Sequence, residues 1–388
     1  MPKAVLKELE PFAHWLRHHF QVHALSPVDE GGPKPQSRFL FRHHVADFIG
    51  HEELSFEPAG EGPHWLIQVE KIGLSTNHLL QRLSEHWALP RKEISFAGRK
   101  DQRGVTTQWL SVPAHRLKEM SPSSINLPGV TLLQAQRNTK KLRLGQVRCN
   151  RFQILLRGST TDRSAITEAW NRALRQGVPN FFGHQRFGFE AGNLEKVLQF
   201  MTRSKKARSV KEKFLVSVFQ SICFNHWLEE RLSADCLTAP LAGDVMLGLP
   251  FGQRPFHPEV LEETQQRMAD GEITVAGPLP GPKAMAAEKD ALAFEDRCWE
   301  KMGLSSAWMQ AQAYLEPGAR RPSTVPLLDP KMQWSDEGLE LKFGLQKGSY
   351  ATSVLRYLLP GQIEDAALKG DAQLQEHSRR PDALGSRS

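Results

Sequence analysis

A lone carboxylate among basic residues is the part of this sequence best suited to chemistry. Asp101 lies in the run Gly98-Arg99-Lys100-Asp101-Gln102-Arg103, where it has three cationic neighbours. Residues 105–112 follow and are rich in β-branched and aromatic side chains, which predicts a strand. A carboxylate held at such a strand junction, beside cations, could meet a polyanion as a nucleophile or as a base. An ordinary hairpin turn is the alternative interpretation, because Gly-x-x-Asp commonly marks turns.

The overall composition favours an anionic partner. The 388 residues include 40% hydrophobic ones and carry a net charge of +7, with a pI of about 9.2. Length alone predicts two domains, and a basic balance is typical of nucleic-acid-binding proteins. Two basic clusters are candidates for phosphate contacts, and a solvated surface is the alternative for each. Their members are Arg137, Lys140, Lys141, Arg143, Arg148, Arg151 and Arg157, and then Arg203, Lys205, Lys206, Arg208, Lys211 and Lys213.

Several classes of protein are disfavoured by what the sequence lacks. Its four cysteines form no C-x-x-C pair, which excludes a zinc ribbon or a thioredoxin motif, and their scarcity suits a reducing cytosol. We therefore expect a cytoplasmic protein. The N-terminus has no apolar signal-peptide segment, and no run of about 18 apolar residues predicts a membrane span.

Cofactor motifs are also weak. His14 and His18 are four residues apart on a predicted helix, as metal ligands can be, but no H-E-x-x-H arrangement and no third ligand accompany them. We interpret both as structural or surface histidines. Residues 60–62 lack the third glycine of a dinucleotide loop, and no Walker A sequence is present. The sequence therefore predicts neither a bound metal nor a nucleotide cofactor.

The elements that must position the carboxylate alternate between strands and helices. Residues 64–70 and 151–157 alternate apolar and polar side chains, which predicts strands. Ser75 or Thr76 can cap a helix after the first strand, and Asp162 can cap another after the second. This succession of isolated elements predicts an α+β fold with a mostly antiparallel mixed sheet.

The second half of the chain has a different texture. Helical spacing of apolar residues covers about 190–235, a Gly- and Pro-rich stretch covers 240–285, and strand patterns resume near 324. We therefore predict a second domain inserted into the first. The predicted segments are 1–178 and 324–364 for the interrupted domain, 179–323 for the insertion, and 365–388 for a disordered polar tail.

One segment combines aromatic rings with a cation. Residues 180–188 hold three Phe, two Gly and Arg186. Aromatic rings can stack on unpaired bases, and Arg can bind phosphate. A core-packed linker with glycine turns explains the same composition equally well.

Taken together, four separate stretches resemble the TruD family of tRNA pseudouridine synthases. Residues 96–109 are similar to the family's A-G-x-K-D-x-x-x-x-T-x-Q signature, and residues 141–152 look like its next motif. Residues 180–188 match N-F/Y-F/Y-G-x-Q-R-F-G, and residues 348–356 match G-S-F/Y-A-T-S-V-x-R. These motifs follow one another in the order expected of the family.

The resemblance implies conversion of uridine to pseudouridine, at position 13 in the D-arm of tRNA. It implies that uracil is detached from its ribose at N1, turned over and rejoined through C5, with no cofactor and no metal. It also implies a pseudouridine-synthase catalytic domain interrupted by an inserted α/β TRUD domain. The expected partner is tRNA, and we expect a monomer.

The family's site residues can be carried over position by position. Asp101 matches the catalytic aspartate, and the point that it attacks stays open. Arg42 lies where the family tends to carry a basic residue, although residues 45–48 differ from the usual P-E-D-F. Asn150, Phe152 and Tyr350 match positions near the base. The candidate RNA-binding residues are Lys100, Lys140, Lys141, Arg143 and Arg186.

Two alternatives from other classes remain. A non-catalytic RNA-binding or chaperone protein could keep the same scaffold, but simple binding would not need a carboxylate such as Asp101 beside phosphate. A metal-dependent nuclease would need several clustered carboxylates or histidines, and the sequence shows none near the Asp101 motif.

Overall fold

The computed structural model describes residues 3–19, 38–117, 125–183, 186–187, 192–201, 207, 209–252, 254–305, 308–309 and 317–366. Its helices are α1 (Lys3–His19), α2 (Thr76–His86), α3 (Ala114–Leu117), α4 (Arg163–Gln176), α5 (Gly192–Met201), α6 (Val210–Ser233), α7 (Leu261–Ala269), α8 (Lys289–Lys301) and α9 (Ala351–Leu358). Its strands are β1 (Phe39–Phe41), β2 (Phe48–Leu54), β3 (His64–Ile72), β4 (Ser95–Phe96), β5 (Val105–Pro113), β6 (Val130–Asn138), β7 (Val147–Arg157), β8 (Val178–Pro179), β9 (Met246–Gly248), β10 (Ile273–Leu279), β11 (Ala319–Pro322), β12 (Thr324–Val325), β13 (Leu328–Trp334), β14 (Gly338–Gln346) and β15 (Ile363–Asp365).

These elements divide into two units, each built around its own core. The sheet unit contains the described residues of 38–161, 328–348 and 362–366, and the helical unit contains those of 3–19, 162–327 and 349–361. These bounds differ from the predicted domain segments, because the helical unit includes described residues of 3–19, 162–178, 324–327 and 349–361, which were predicted to belong to the interrupted domain. The reason is that α4 contacts α9 within the helical unit. The assignment of residues 179–323 as an inserted TRUD domain stays a prediction.

The sheet unit is a single mixed sheet formed by ten of the described strands. Its main path runs β13-β14-β7-β2-β5-β3-β6, with β1 beside β7 and β15, and β4 beside β5. Only β2–β5 and β1–β15 are parallel pairs among these. Together with the helices, this sheet confirms the predicted α+β class and its mostly antiparallel character.

Helix α2 packs one face of this sheet, as its apolar spacing predicts. Ser75 caps its first turn, because its Oγ accepts a hydrogen bond of 3.2 Å from the backbone N–H of His78. Leu79, Leu83 and Trp87 are buried in a cluster with apolar side chains of β3 and β5. Burial of three such side chains contributes roughly 5 kcal/mol or more to stability. The helix therefore packs against β5, the strand that follows the Asp101 loop, and against its neighbour β3.

The helical unit is organised around α6, whose side chains are buried on nearly every face. Phe12 and Leu16 of α1 pack into the same cluster, as do apolar side chains of α5 and α8. Two small sheets, β11-β10-β9 and β12-β8, complete the described part of this unit. No helix among the described residues is both long and apolar enough to cross a lipid bilayer.

The prediction of a disordered tail from residue 365 onward is wrong at its first residue. Asp365, predicted to begin a disordered tail, is the last residue of β15 and is buried. It is placed there because β15 pairs in parallel with β1, with Phe41 opposite Asp365. Residues 367–388 of the predicted tail lie outside the described residues.

Candidate active site

The loop that carries Asp101 is held by buried polar side chains. Gln108 on β5 donates through Nε2 to the carbonyl of Gly98 at 2.5 Å. Thr76 donates to Oε1 of Gln108 at 3.2 Å and accepts from the backbone N–H of Lys100 at 2.9 Å. Because Thr76 and Gln108 are themselves buried, water does not compete for these bonds. The loop therefore has one well-defined path between β4 and β5.

Lys71 reaches the backbone at the Asp101 position itself. Its ammonium donates to the carbonyl of Asp101 at 2.7 Å and to that of Leu74 at 2.5 Å. The side chain is fully buried, and desolvation lowers the pKa of Lys71 to about 8, an effect that the charge of Asp101 opposes. A buried cation thus fixes the residue that presents the carboxylate.

Arg42 faces the Asp101 carboxylate from the end of β1. Its Nη1 lies 3.9 Å from Oδ1 of Asp101, and its side chain is 6% exposed against 35% for Asp101. Nε donates to Oδ1 of Asp365 at 3.1 Å, while Nη2 donates to Oδ2 of the same carboxylate. The guanidinium also lies 4.7 Å from the ring centroid of Phe41. A partly exposed carboxylate therefore meets a cation that is buried and already held.

A second ion pair fixes the turn that follows Arg42. Asp47 is buried and accepts from Nε and Nη2 of Arg157 at 2.8–3.0 Å. It also accepts from the backbone N–H of His44 at 2.7 Å, which closes the short turn before β2. The segment between β1 and β2 is thus tied to the sheet by two arginine–carboxylate pairs.

Lys100 is engaged with protein groups. Its ammonium lies 2.7 Å from Oε2 of Glu52 and donates to Oδ1 of Asn150 at 2.6 Å. Glu52 also accepts from the backbone N–H of Trp109 at 3.0 Å. Burial raises the pKa of Glu52, and the charge of Lys100 opposes that rise. This chain of contacts links the Asp101 loop to Asn150 on β7.

Phe152 lies two residues further along β7. Its ring is half-buried, between the rings of Phe48 and Phe343, with centroid distances of 5.8 Å to each. These separations suit aromatic contacts. The sheet unit therefore contains Asp101, Arg42, Lys100 and Asn150, which the contacts above link, and Phe152, which follows Asn150 by two residues on β7.

Tyr350 and Arg186 belong to the helical unit. Tyr350 directly precedes α9, and its ring contacts that of Phe182 at 6.1 Å between centroids. Arg186 donates through Nε to Ser221 Oγ at 3.2 Å and lies 5.2 Å from the ring centroid of Phe214. Burial lowers the pKa of Arg186. Both side chains therefore already have partners within this unit.

A buried arginine that the sequence analysis did not single out organises the first part of the 180–188 motif. Arg321 donates to the backbone carbonyl and to Oδ1 of Asn180 at 2.7–3.1 Å, and its guanidinium lies 4.0 Å from the Phe182 ring centroid. Burial lowers the pKa of Arg321 to about 10. The described part of this motif thus packs in the unit's interior, and stacking of its rings on RNA bases stays a prediction.

The predicted RNA-binding residues Lys140, Lys141 and Arg143 are exposed in the segment between β6 and β7. Leu142 between them is buried, and its backbone N–H donates to Ser111 Oγ at 2.9 Å. This anchor directs the segment, which we call the basic loop (residues 139–146), so that its cations remain in solvent.

The part of the chain that the structure describes contains no group of three or more His, Cys, Asp or Glu placed to hold a metal ion. His14 and His18 do lie together on α1, with ring centroids 4.3 Å apart. A pair of exposed histidines alone is a weak metal site.

Three residues of this site were missed from the sequence, namely Glu52, Lys71 and Asp365. Each occupies a strand position whose alternate neighbours are buried: Lys71, for example, follows Ile67 and Val69 at intervals of two. For Glu52 and Lys71, a charged residue in phase with the apolar face of a strand is the signal that could have identified them, whereas β15 is too short to give Asp365 such a signal.

Comparison with known proteins identifies the family of the chain. The family model "tRNA pseudouridine synthase D (TruD)" matches residues 38–214 and 204–358. A tRNA pseudouridine synthase D from an Anaeromyxobacter species is 35% identical over 339 residues, covering 85% of this chain and 95% of that protein. One from Thermus thermophilus is 36% identical over 328 residues, covering 82% and 88%.

A solved structure from Methanosarcina mazei that bears the TruD name supports the fold. It has a TM-score of 0.63 and 22% identity, and the match covers 87% of this chain and 97% of that one. The resemblance inferred from the motifs is therefore confirmed, and the chain belongs to the TruD family, whose members are named tRNA pseudouridine synthase D.

Proposed function

We propose that this chain isomerises uridine to pseudouridine in tRNA, at position 13 of the D-arm, and that Asp101 is the catalytic residue. The observation that carries the proposal is the pair formed by Asp101 and the buried guanidinium of Arg42, 3.9 Å apart, in a loop with the family's signature. A carboxylate that is partly exposed to solvent and faces a buried guanidinium is suited to contact an RNA substrate.

The reaction makes definite demands on that carboxylate. The bond between ribose C1′ and uracil N1 breaks, a bond between C1′ and C5 forms, C5 loses its proton and N1 gains one. Asp101 acts either as a nucleophile toward ribose or uracil, or as a base, and both options stay open. In each case a substrate that excludes water strengthens the attraction between the carboxylate and Arg42.

The target base must leave the RNA stack before it can react. Unstacking costs on the order of a few kcal/mol, and stacking on one aromatic ring returns about 1–3 kcal/mol. Phe152, half-buried between two other rings, is the proposed platform in the sheet unit. A contact of Tyr350 with the base stays a prediction from the family motif.

Asn150 is the proposed polar contact to uracil, and its orientation follows from Lys100. An ammonium group can only donate, so the atom of Asn150 that lies 2.6 Å from Lys100 must be the carbonyl oxygen. The amide Nδ2 is then the group that donates to a uracil carbonyl. This geometry favours a positioning role for Lys100 over the phosphate contact predicted from the sequence.

Phosphate contacts are proposed for the basic loop. Lys140, Lys141 and Arg143 are exposed there and can neutralise the RNA backbone. Arg186 is retained as a proposed RNA contact from the helical unit, where it is half-buried and bonded to Ser221. These cations would set affinity and its salt dependence rather than the chemistry.

Tritium release from tRNA transcripts that contain 5-tritiated uridine tests the proposal. The protein is expected to release tritium from a tRNA with U13, and to release none above background from a matched transcript with C13. EDTA is expected to leave the rate of tritium release unchanged, whereas it would inhibit a metal-dependent nuclease. Binding without release would favour the RNA-binding alternative, and equal release from the C13 transcript would contradict the assignment of position 13.

A further inference from the structure

We propose that Asp365, near the end of the described chain, is a positioning residue for the reaction and acts through Arg42. This inference rests on the proposed function, because it assigns a supporting role within the same site. It makes the short strand β15 a part of the structure that prepares Asp101 for its substrate.

The two residues are brought together by strand register, although 323 positions separate them. β15 runs parallel to β1, with Phe41 opposite Asp365, so that Arg42 lies just beyond the paired residues. Asp365 is 1% exposed and Arg42 is 6% exposed. Water therefore competes little for the bonds between them, and the pair is held in one geometry.

The geometry of the guanidinium explains how Asp365 can act at a distance. Asp365 takes the edge formed by Nε and Nη2 of Arg42. A guanidinium is planar and rigid, so fixing two of its nitrogens fixes the third. That third nitrogen, Nη1, is the atom 3.9 Å from Asp101. Asp365 thereby sets where the positive charge lies relative to the catalytic carboxylate.

Two further observations agree with this role. Arg42 has a backbone φ of 57°, which residues other than glycine seldom adopt and which persists where surrounding bonds enforce it. In addition, Arg103, two residues after Asp101, donates through Nη1 to the carbonyl of Ala366 at 2.5 Å. The segment 363–366 thus contacts both Arg42, which faces Asp101, and Arg103, which lies in the Asp101 loop.

A double-mutant cycle on the full-length protein tests the inference. The variants are Asp365→Asn, Arg42→Met and the two combined, with kcat and KM measured by tritium release from tRNA. Glu364→Gln is the matched control, because Glu364 lies on the same strand and pairs with Arg38 at 3.6 Å on a more exposed face. Asp365→Asn is expected to lower kcat by about 10- to 100-fold, the range expected for misplacing a group by about 1 Å. KM is expected to change less than about 3-fold, and the control to retain its activity.

If Asp365 acts through Arg42, then Asp365→Asn changes kcat by less than about 2-fold once Arg42 is Met. Should Arg42→Met fail to fold, Arg42→Gln supplies the same cycle, since it also removes the cation that pairs with Asp365. Multiplicative losses in the double variant, or an equal loss in Glu364→Gln, would overturn the positioning role alone. A wild-type protein that binds tRNA and releases no tritium would overturn the proposed function and this inference with it.

Discussion

The ion pair between Lys100 and Glu52 is the contact near the active site whose loss should be easiest to measure. Their charged atoms are 2.7 Å apart, with Glu52 fully buried and Lys100 10% exposed. Coulomb attraction at that separation is about 6 kcal/mol for an effective dielectric constant near 20, before desolvation is subtracted. Replacing Lys100 with Met leaves the carboxylate buried without its cation, and such changes cost about 3–5 kcal/mol. The melting temperature is expected to fall by roughly 6–20 °C.

The pH dependence of the stability of Lys100→Met tests whether the unpaired Glu52 carboxylate causes the loss. Burial raises the pKa of Glu52 above its usual 4.5, and Lys100 is the first of the groups that oppose this rise. In the Lys100→Met variant, Glu52 therefore has a higher pKa in the folded state than in the unfolded state. Above pH 4.5, the folded protein keeps the Glu52 proton more tightly than the unfolded protein does. Stability then falls as pH rises from 4.5 through the new pKa. The deficit relative to wild type is expected to be smaller at pH 5 than at pH 8.

Thermal and urea unfolding at both pH values provide the assay. Lys92→Met is the matched control, since Lys92 is exposed and its loss should change stability by no more than about 0.5 kcal/mol. Adding Glu52→Gln to Lys100→Met removes the unpaired charge and should recover most of the loss. A Lys100→Met variant as stable as the Lys92 control, or a stability deficit equal at both pH values, would show that the ion pair does not stabilise the buried Glu52 carboxylate.

Three other predictions follow from the same site. Arg42→Gly should be more stable than Arg42→Ala by about 0.5–1 kcal/mol in urea unfolding, because φ of 57° suits glycine; the reverse order would contradict this. As pH rises from 8 to 10.5, the stability of wild type relative to Lys71→Met should increase by up to about 3 kcal/mol, because Lys71 loses its proton at lower pH in the folded state than in the unfolded state. Parallel pH profiles of the two proteins would contradict this. Changing Lys140 and Lys141 together to Gln should reduce the slope of log affinity for tRNA against log salt by roughly 1–2 without lowering kcat, and an unchanged slope would remove them as phosphate contacts.

Local patterns predicted the elements around the site well. The cap at Ser75 and the spacing of Leu79 and Leu83 define α2, and the alternation within residues 64–70 and 151–157 defines β3 and β7. Each of these signals depends on neighbours within one element, where periodicity and capping chemistry act directly. The Asp101 loop was located for the same reason, since it directly precedes the β-branched and aromatic run that predicts β5.

The contacts that prepare the site were not predictable in the same way. Arg42 and Asp365 meet only because two strands of three residues each pair in a particular register, and strands this short carry too little periodicity to be recognised. Lys100 resembled a phosphate ligand because its sequence neighbours are basic, whereas its partner Glu52 comes from β2. Long-range register, rather than local composition, decides which charges become buried pairs.

Turnover by Asp101→Asn tests directly whether Asp101 is the catalytic residue. Wild type and this variant are compared in tritium release from the same 5-tritiated tRNA, with tRNA affinity measured in parallel. The substitution keeps the size of the side chain and removes its charge. We expect release by wild type, release at background by Asp101→Asn, and tRNA affinities within a few-fold of each other. Comparable turnover by the variant would contradict the assignment of Asp101 as the catalytic residue.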